Sequence, residues 1–498
     1  MKKIFNKVAA GLRNTWNKIM PPKYDYNFVV IGAGAGGLVS AYIGSALNAK
    51  VALIEKNKMG GDCLNTGCVP SKALIRTAKM LNDMREHERY GIAKADFEIN
   101  FEDVMKRVHG IIEKIEPHDS VERYQELGVD VIEGEAKLVG PHKVEVNGKT
   151  LTAKNIILAT GAEPLVPNIP GLDQVVHYTS DTIWDLKTLP KKMIILGGGP
   201  IGSEMTQAFK RLGADVTQVE MNKAIMGRED VEVSAFVENK FKEEGITVLT
   251  GHKAKQFVKE EGRQFLIAEH EGREVKVEFD AVLVALGRKA RTSGFGLEEI
   301  GIKLTSRGTI EADPFMRTNF KNIYVVGDAT GPYQFTHTAA HQAWYAAVNA
   351  LFSPIKKFKA DYRVIPWATF TDPEVARVGL NEAEAKEKGI KYEVTKYGID
   401  DLDRAIADSN DHGFVKVLTV PGKDKILGVT IVGAHAGDLI AEYVLAMKHG
   451  LGLNKILGTI HIYPTMAEAN KYAAGNWKKE HKPKTVLKML KKFHNWRR

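Results

Sequence analysis

Two strand–glycine turn–helix–strand units with identical internal spacing constrain this chain more than any other feature. In the first, the run Phe28–Ile31 leads into Gly32, Gly34 and Gly37, a helix of small residues, and a strand Val51–Ile54 that ends in Glu55. In the second, Met193–Leu196 leads into Gly197, Gly199 and Gly202, and a strand Val216–Val219 ends in Glu220. From first glycine to acid is 23 residues in both. One G-x-G-x-x-G arises by chance; two in matching context predict two dinucleotide sites. The competing reading is a doubly wound fold with no cofactor. Glycines let backbone approach a pyrophosphate, the helix N-terminus neutralises it, and the acid accepts from ribose hydroxyls. Glu220 would repel a 2′-phosphate, so NADH is favoured over NADPH, although Lys223 and Arg228 follow closely.

At 498 residues the chain exceeds one compact core, and about 150 residues per domain suggests roughly three domains. Further strand-plus-glycine segments extend the first unit into a flavin domain split in sequence. Ile156–Ala159 closes on Thr160-Gly161, Ala281 onward closes at Gly287, and Ile323–Val326 delivers Gly327-Asp328. Asp328, at a strand end, is placed to accept from a ribityl hydroxyl. The expected organisation is a flavin domain over 24–162 and 291–360, a nucleotide domain over 163–290 and a third domain over 361–476.

The net charge of +9 sits at the ends. Residues 1–23 carry six basic side chains and no acid, and residues 477–498 carry nine against Glu480, leaving the body mildly acidic. That distribution argues against a nucleic-acid-binding core. In each tail apolar residues recur at helical spacing: Ile4, Phe5, Val8, Leu12, Trp16, Ile19 and Met20 in one, Val486, Leu487, Leu490, Phe493 and Trp496 in the other. Basic amphipathic helices of this kind either lie on anionic membrane surfaces or pack on protein. The uncharged stretch Tyr26–Ala49 is long enough to span a bilayer, but its glycines suit a phosphate turn between a buried strand and helix. No secretory signal follows the first lysines, so the chain is expected to be soluble and cytoplasmic, with peripheral contact at the inner face of the membrane through its tails.

Both cysteines, Cys63 and Cys68, lie in Gly60-Gly61-Asp62-Cys63-Leu64-Asn65-Thr66-Gly67-Cys68-Val69-Pro70-Ser71-Lys72. Two cysteines exclude a disulfide-stapled scaffold and an all-thiolate zinc site. Four intervening residues suit an irregular helical turn that brings the sulfurs within bonding range. Pro70 favours a helix starting there, which puts Cys68 by its N-terminus with Lys72 nearby, and both favour a thiolate. The alternative is two inert buried thiols. His337 and His341 stand at i, i+4, a zinc-like spacing, but no third ligand suggests itself, and no metal site is expected.

From about Tyr26 to Lys478 the chain resembles the pyridine nucleotide–disulfide oxidoreductases, the family of dihydrolipoamide dehydrogenase, glutathione reductase and mercuric reductase. The resemblance rests on Gly32–Gly37, Cys63–Lys72, Gly197–Glu204, Gly327-Asp328 and Tyr463–Glu468. It implies an α/β fold of two Rossmann-like dinucleotide-binding domains plus an α+β C-terminal dimerisation domain, beginning near Thr371–Gly379, in a homodimer. It also implies tightly but non-covalently bound FAD, cradled in part by Gly61, which passes electrons from NADH to the cysteine pair. Cys68 would be the thiolate beside the flavin, Cys63 the thiol facing the acceptor, and Lys72 with Glu204 the ion pair near flavin N5.

The sequence departs from that family at one telling place. Relatives that reduce dithiols or disulfides present His-Pro-Thr near the C-terminus, the histidine shuttling a proton from the other subunit with a glutamate holding it. Here Tyr463 precedes Pro464-Thr465, with Glu468 retained and His461 two residues upstream, on the same face of an extended segment. A phenol of pKa about 10 is ionised to about one part in a thousand at neutral pH, whereas imidazole near 6.5 is mostly free base. Tyrosine here is similar to mercuric reductase, although no additional cysteines exist to deliver mercury. Asp62 replaces the usual threonine, and its carboxylate is expected to oppose thiolate formation at Cys63. The expected acceptor therefore needs little proton shuttling: a soft metal ion, a quinone or dioxygen, ahead of small disulfides. The alternatives are a dihydrolipoamide dehydrogenase-like enzyme using His461 and, from another class, a membrane-docked flavin redox sensor with slow turnover.

Overall fold

The computed structural model describes residues 23–353 and 355–498. The described residues divide into two compact units, one of residues 23–61, 117–162, 290–353 and 355–360, the other of 62–116, 163–289 and 361–498. Of the amphipathic segment expected in residues 1–23, residues 1–22 lie outside the described residues.

The first unit is built on a seven-stranded sheet in the order Val129–Glu133, Val51–Glu55, Tyr26–Ile31, Lys149–Leu158, Lys143–Val146, Lys137–Gly140, with Ile323–Val325 also paired to Lys149–Leu158. Its centre is parallel, Val29 facing Ala52 on one side and Ile156 on the other. Strands covered on both faces read as unbroken apolar runs, and Phe28, Val29 and Val30 are fully buried. The helix Ala35–Ala46 owes its small residues to close packing: a Cβ on Gly44 would lie 2.3 Å from the Phe28 ring, and one on Gly36 would lie 2.9 Å from Val326 Cγ2. The helix Thr336–Phe352, which carries His337 and His341, packs along it. Tyr26–Ala49 is thus a strand and a 12-residue helix. Among the described residues no helix is long and apolar enough to cross a membrane.

The second unit repeats the first unit's strand–glycine–helix device. Its five-stranded parallel sheet runs Thr247–Thr250, Asp215–Glu220, Lys192–Leu196, Ala281–Val284, His177–Thr179, beside an antiparallel sheet of Lys253–Glu260, Arg263–His270 and Arg273–Phe279. The C-terminal part is an antiparallel sheet in the order Pro366–Thr369, Glu374–Gly379, Ile426–Gly433, Phe414–Thr419, Glu393–Gly398. Helices Ala436–Lys448 and Glu468–Glu480 contribute to its core. Residues 62–116, expected with the flavin domain, group here because Leu74, Phe101, Met105 and Val108 share one apolar core with Phe209 and Leu212 of helix Pro200–Leu212. Buried ion networks tie the nucleotide half to the C-terminal sheet: Lys416 meets Asp230, Glu232 and Glu382, and Arg211 meets Glu244 and Asp372. The final helix Lys484–Arg497 buries no residue.

Candidate functional site: a redox segment and two glycine cradles

The two glycine turns are close copies. Gly32 and Gly197 have φ of +101° and +112°, and a Cβ on either would sit 2.4 Å from a carbonyl oxygen, of Ala159 and Ala285 respectively. A Cβ on Gly37 would come within 1.8 Å of Gly32 O, and one on Gly202 within 2.0 Å of Gly197 O. Gly34 and Gly199 cap their helices with extended backbone and no side-chain hydrogen bond. The first helical N–H groups therefore point outward uncapped, as a pyrophosphate requires. Gly61 closes the first cradle, where a Cβ would lie 2.6 Å from Gly34 Cα.

The two acids hold these turns in shape. Glu55 Oε2 accepts from Ala33 N at 2.6 Å and Oε1 from Asn57 N at 2.8 Å. Glu220 accepts from Gly198 N at 2.6 Å, and from Asn222 N and Nδ2 at 2.7 and 2.6 Å. A carboxylate has about four acceptor positions, so both retain capacity for ribose hydroxyls. Thr160 Oγ1 donates to Arg291 O at 2.8 Å while Gly161 O accepts from Arg291 N at 3.0 Å, so this pair fastens the strand end. Gly327, at φ +73°, donates to Gln342 Oε1 at 2.7 Å and opens the 3-10 turn that carries Asp328. Gly287, at φ +119°, has open space where a side chain would be. Uncapped helix starts, side-chain-free turns and terminal acids fit two dinucleotides, one in each unit.

The cysteines lie in the second unit, Cys63 in the short helix Gly61–Asn65 and Cys68 as the first residue of helix Cys68–Arg85. Cys63 is half-buried and Cys68 exposed. Thr66 N donates to Asp62 O at 2.9 Å, and a Cβ on Gly67 would stand 2.9 Å from that oxygen and 3.7 Å from Cys63 Cα. Gly67 thus folds the chain back on Asp62-Cys63 immediately before Cys68. The helix begins two residues before Pro70, so Cys68 receives the favourable end of its dipole directly. Lys72, one turn on, meets Glu204 Oε2 at 2.8 Å, and Glu204 Oε1 accepts from Phe370 N at 2.9 Å. Glu204 is buried, and the Lys72 ammonium lies 4.4 Å from the Phe370 ring centroid.

Residues far away in sequence complete the redox segment. Arg288 Nη2 pairs with Asp62, and Nη1 stands 3.9 Å from Asp181. Asp181 accepts from Thr66 Oγ1 at 3.4 Å, and the Trp184 indole donates to Thr66 O at 2.8 Å. The carboxylate of Asp62, expected to oppose a thiolate at Cys63, is thus paired with a guanidinium. Nothing local in sequence signals this, because Arg288 lies 226 residues from Asp62.

The C-terminal segment separates its candidates. Tyr463 is exposed, and its hydroxyl donates to Asp403 Oδ2 at 3.0 Å. That hydrogen bond and the carboxylate charge raise the phenol above its usual value. Glu468 is buried and accepts from Tyr472 Oη at 3.4 Å. His461 has a side chain only 6% exposed, with Nδ1 at 3.0 Å from Thr459 O and Nε2 at 3.0 Å from Glu442 Oε1. Both imidazole nitrogens are engaged, and neither contact is with Tyr463 or Glu468.

Two glycine cradles and a cysteine pair opening a helix define a class, nucleotide-dependent flavoproteins with a redox-active disulfide. The chain belongs to the pyridine nucleotide-disulphide oxidoreductase family, whose model matches residues 26–343 and whose dimerisation-domain model matches residues 365–474. Members are FAD-dependent and use NAD(P)H. Similar proteins include a mercuric reductase of Bacillus cereus, 34% identical over 92% of this chain and 72% of the relative. A dihydrolipoyl dehydrogenase of Chlamydia muridarum is 35% identical over 89% of this chain and 95% of the relative. Among solved structures, the Cu(II) complex of the HOCl-induced flavoprotein disulfide reductase RclA from Escherichia coli is 26% identical, with a TM-score of 0.80 over 89% of this chain and 98% of that one.

Proposed function

We propose that this chain is an NADH-dependent flavoprotein oxidoreductase that delivers electrons through Cys63 and Cys68 to an acceptor needing little proton shuttling, a soft metal ion foremost. The observation that carries this reading is the C-terminal segment. Tyr463 stands where disulfide-reducing relatives carry their histidine, its phenol is kept protonated by Asp403, and His461 is turned onto Glu442 and Thr459. With no free imidazole there to shuttle a proton, a thiol product would be protonated slowly, whereas a thiophilic cation needs soft ligands. The names of similar proteins support the metal reading on one side, mercuric reductase and the Cu(II) complex of RclA, and lipoamide chemistry on the other.

FAD, when bound, would supply the two-electron chemistry that links a nicotinamide hydride to reduction of the cysteine pair. The glycine turns, with Gly61 beside Gly34, would hold the pyrophosphates, Glu55 and Glu220 the ribose hydroxyls, and Asp328 the ribityl chain. Glu220, buried at its strand end and tied to Asn222, favours NADH because a 2′-phosphate would meet its charge. Lys72, anchored by Glu204, supplies positive charge one turn after Cys68 and stabilises its thiolate. The dimerisation domain supports a homodimer, expected to sediment at about twice the 55.1 kDa chain mass. The exposed basic helix Lys484–Arg497 supports peripheral contact with the anionic inner face of the membrane of a cytoplasmic protein.

The test is steady-state NADH oxidation with Hg(II), Cu(II), a quinone, dioxygen and lipoamide, comparing wild type with Cys63→Ser. Metal turnover lost in the variant is the expected result. Faster turnover with lipoamide than with any metal would overturn the metal reading in favour of disulfide chemistry. Retained flavin with no turnover on any acceptor would favour the redox sensor.

A further inference from the structure

We propose that Arg288 is a positioning residue of the redox segment, holding Asp62 and Asp181 so that Cys63 ionises readily despite the acid beside it. The inference rests on Cys63 being the thiol that faces the acceptor. Asp62 directly precedes Cys63 in the helix Gly61–Asn65; with consecutive Cα atoms about 3.8 Å apart and both side chains short, its charge lies within one Debye length, about 10 Å, of the sulfur. An unmatched carboxylate at that range disfavours a thiolate by its charge.

The structure supplies the match. Arg288 is 84% buried on its side chain, against 67% for Asp62, so the pair is partly desolvated and only weakly screened by salt. Its second amino group reaches Asp181 at 3.9 Å, and Asp181 in turn takes the Thr66 hydroxyl at 3.4 Å. Trp184 fixes the same turn from the other side by donating to both Thr66 O and Ser180 O at 2.8 Å. One guanidinium thus spans the start of the Cys63–Cys68 turn, at Asp62, and its middle, through Asp181 and Thr66. A planar fork suits this task and an ammonium does not, because a lysine presents one point of charge rather than two directed donor edges.

Sequence position gives the arrangement its leverage. Arg288 follows Gly287, whose φ of +119° lets the chain turn at the end of the strand Ala281–Val284. A shift of that turn would move the guanidinium relative to both acids. The charge balance at Cys63 is in this way set by the nucleotide-binding part of the second unit.

The test is the pH dependence of iodoacetamide labelling of Cys63 in the flavin-loaded full chain, reduced with dithiothreitol and read by peptide mass spectrometry. Arg288→Met is expected to raise the apparent pKa of Cys63 by about one unit, slowing labelling at neutral pH by about tenfold. Asp62→Asn should shift it in the opposite direction, and the double variant should return near wild type. Arg288→Lys, which keeps charge but loses the fork, should fall between wild type and Arg288→Met. Superimposable profiles for wild type, Arg288→Met and Asp62→Asn would overturn the proposal. If Arg288→Met does not fold, Asp62→Asn decides alone, and the absence of a downward shift refutes it. Chemical reduction separates this outcome from the functional reading, because failure of NADH to reduce the pair would sink the latter and leave the labelling profiles interpretable.

Discussion

At the scale of single residues, the decisive contrast is between two side chains two positions apart. His461 carries the chemistry of a base, yet Thr459 O and Glu442 hold both of its nitrogens; Tyr463 lacks that chemistry and stands exposed. Asp403 adds to the difference, since an anion that accepts the phenol proton opposes ionisation. The sign is therefore a raised value, which keeps Tyr463 neutral at physiological pH. Asp403→Asn should bring that ionisation down, read as phenolate absorbance of Asp403→Asn minus that of Asp403→Asn/Tyr463→Phe across an alkaline titration, against the same difference for wild type and Tyr463→Phe. An unchanged midpoint would show that Asp403 does not govern the phenol. The motif position of Tyr463 was legible from Pro464-Thr465 and Glu468, but Asp403 lies 60 residues away and has no sequence signature.

At the scale of elements, the glycine turns separate structural from ligand-directed roles. Gly202 has no room for a Cβ, since Gly197 O would be 2.0 Å away, whereas Gly199 faces nothing within 4 Å. Gly202→Ala is expected to lower stability by about 2–4 kcal/mol along with NADH affinity. Gly199→Ala should leave the thermal midpoint within about 2 °C while raising the KM for NADH at least about tenfold, through obstruction of the phosphate approach. A Gly199→Ala enzyme with ordinary KM would remove this turn from the nucleotide site. The terminal helix Lys484–Arg497 is the opposite kind of element: it buries nothing, with Leu487, Leu490, Phe493 and Trp496 all exposed beside its lysines. Deleting residues 484–498 should therefore leave the melting temperature unchanged and reduce pelleting with phosphatidylserine vesicles relative to phosphatidylcholine vesicles. Equal pelleting by both forms would end the membrane reading for this helix.

At the scale of the whole molecule, charge burial joins parts of the second unit that sequence reading kept apart. Lys416 is almost fully buried, 2.6 to 2.8 Å from Asp230, Glu232 and Glu382. Burial works against its charge, but the hydrogen bonds it donates to the three acids outweigh it and raise the ammonium above its ordinary value. Hydrogen bonding to Lys416 lowers Glu382, and Lys396 and Lys416 lower Glu232 against the effect of burial. A raised ammonium contributes stability that is lost as pH rises through its folded value; lowered carboxylates contribute stability that is lost as pH falls through theirs. The network should therefore be fully effective between about pH 5 and pH 10. Lys416→Met is expected to cost up to about 3 kcal/mol at pH 7, chiefly by stranding the buried Asp230, since Glu232 and Glu382 are partly solvated, and less at pH 3, measured by urea denaturation. Equal losses at both values would show that packing, not charge, dominates there.

The sequence alone determined the doubled glycine-turn pattern and the family, and singled out Cys63–Lys72 as the candidate redox segment, because all three depend on short-range spacing. Strand, turn and helix are local consequences of apolar runs and of glycines with no alternative; the clash distances at Gly37 and Gly202 show why no other residue serves. Only the tertiary structure decided which groups surround the chemistry. Arg288 reaches Asp62, Asp403 reaches Tyr463, and Glu442 takes His461 through chain reversals that no local pattern encodes. Residues 62–116 grouped with the second unit for the same reason, since an apolar face on helix Cys68–Arg85 does not specify the helix against which it will be buried.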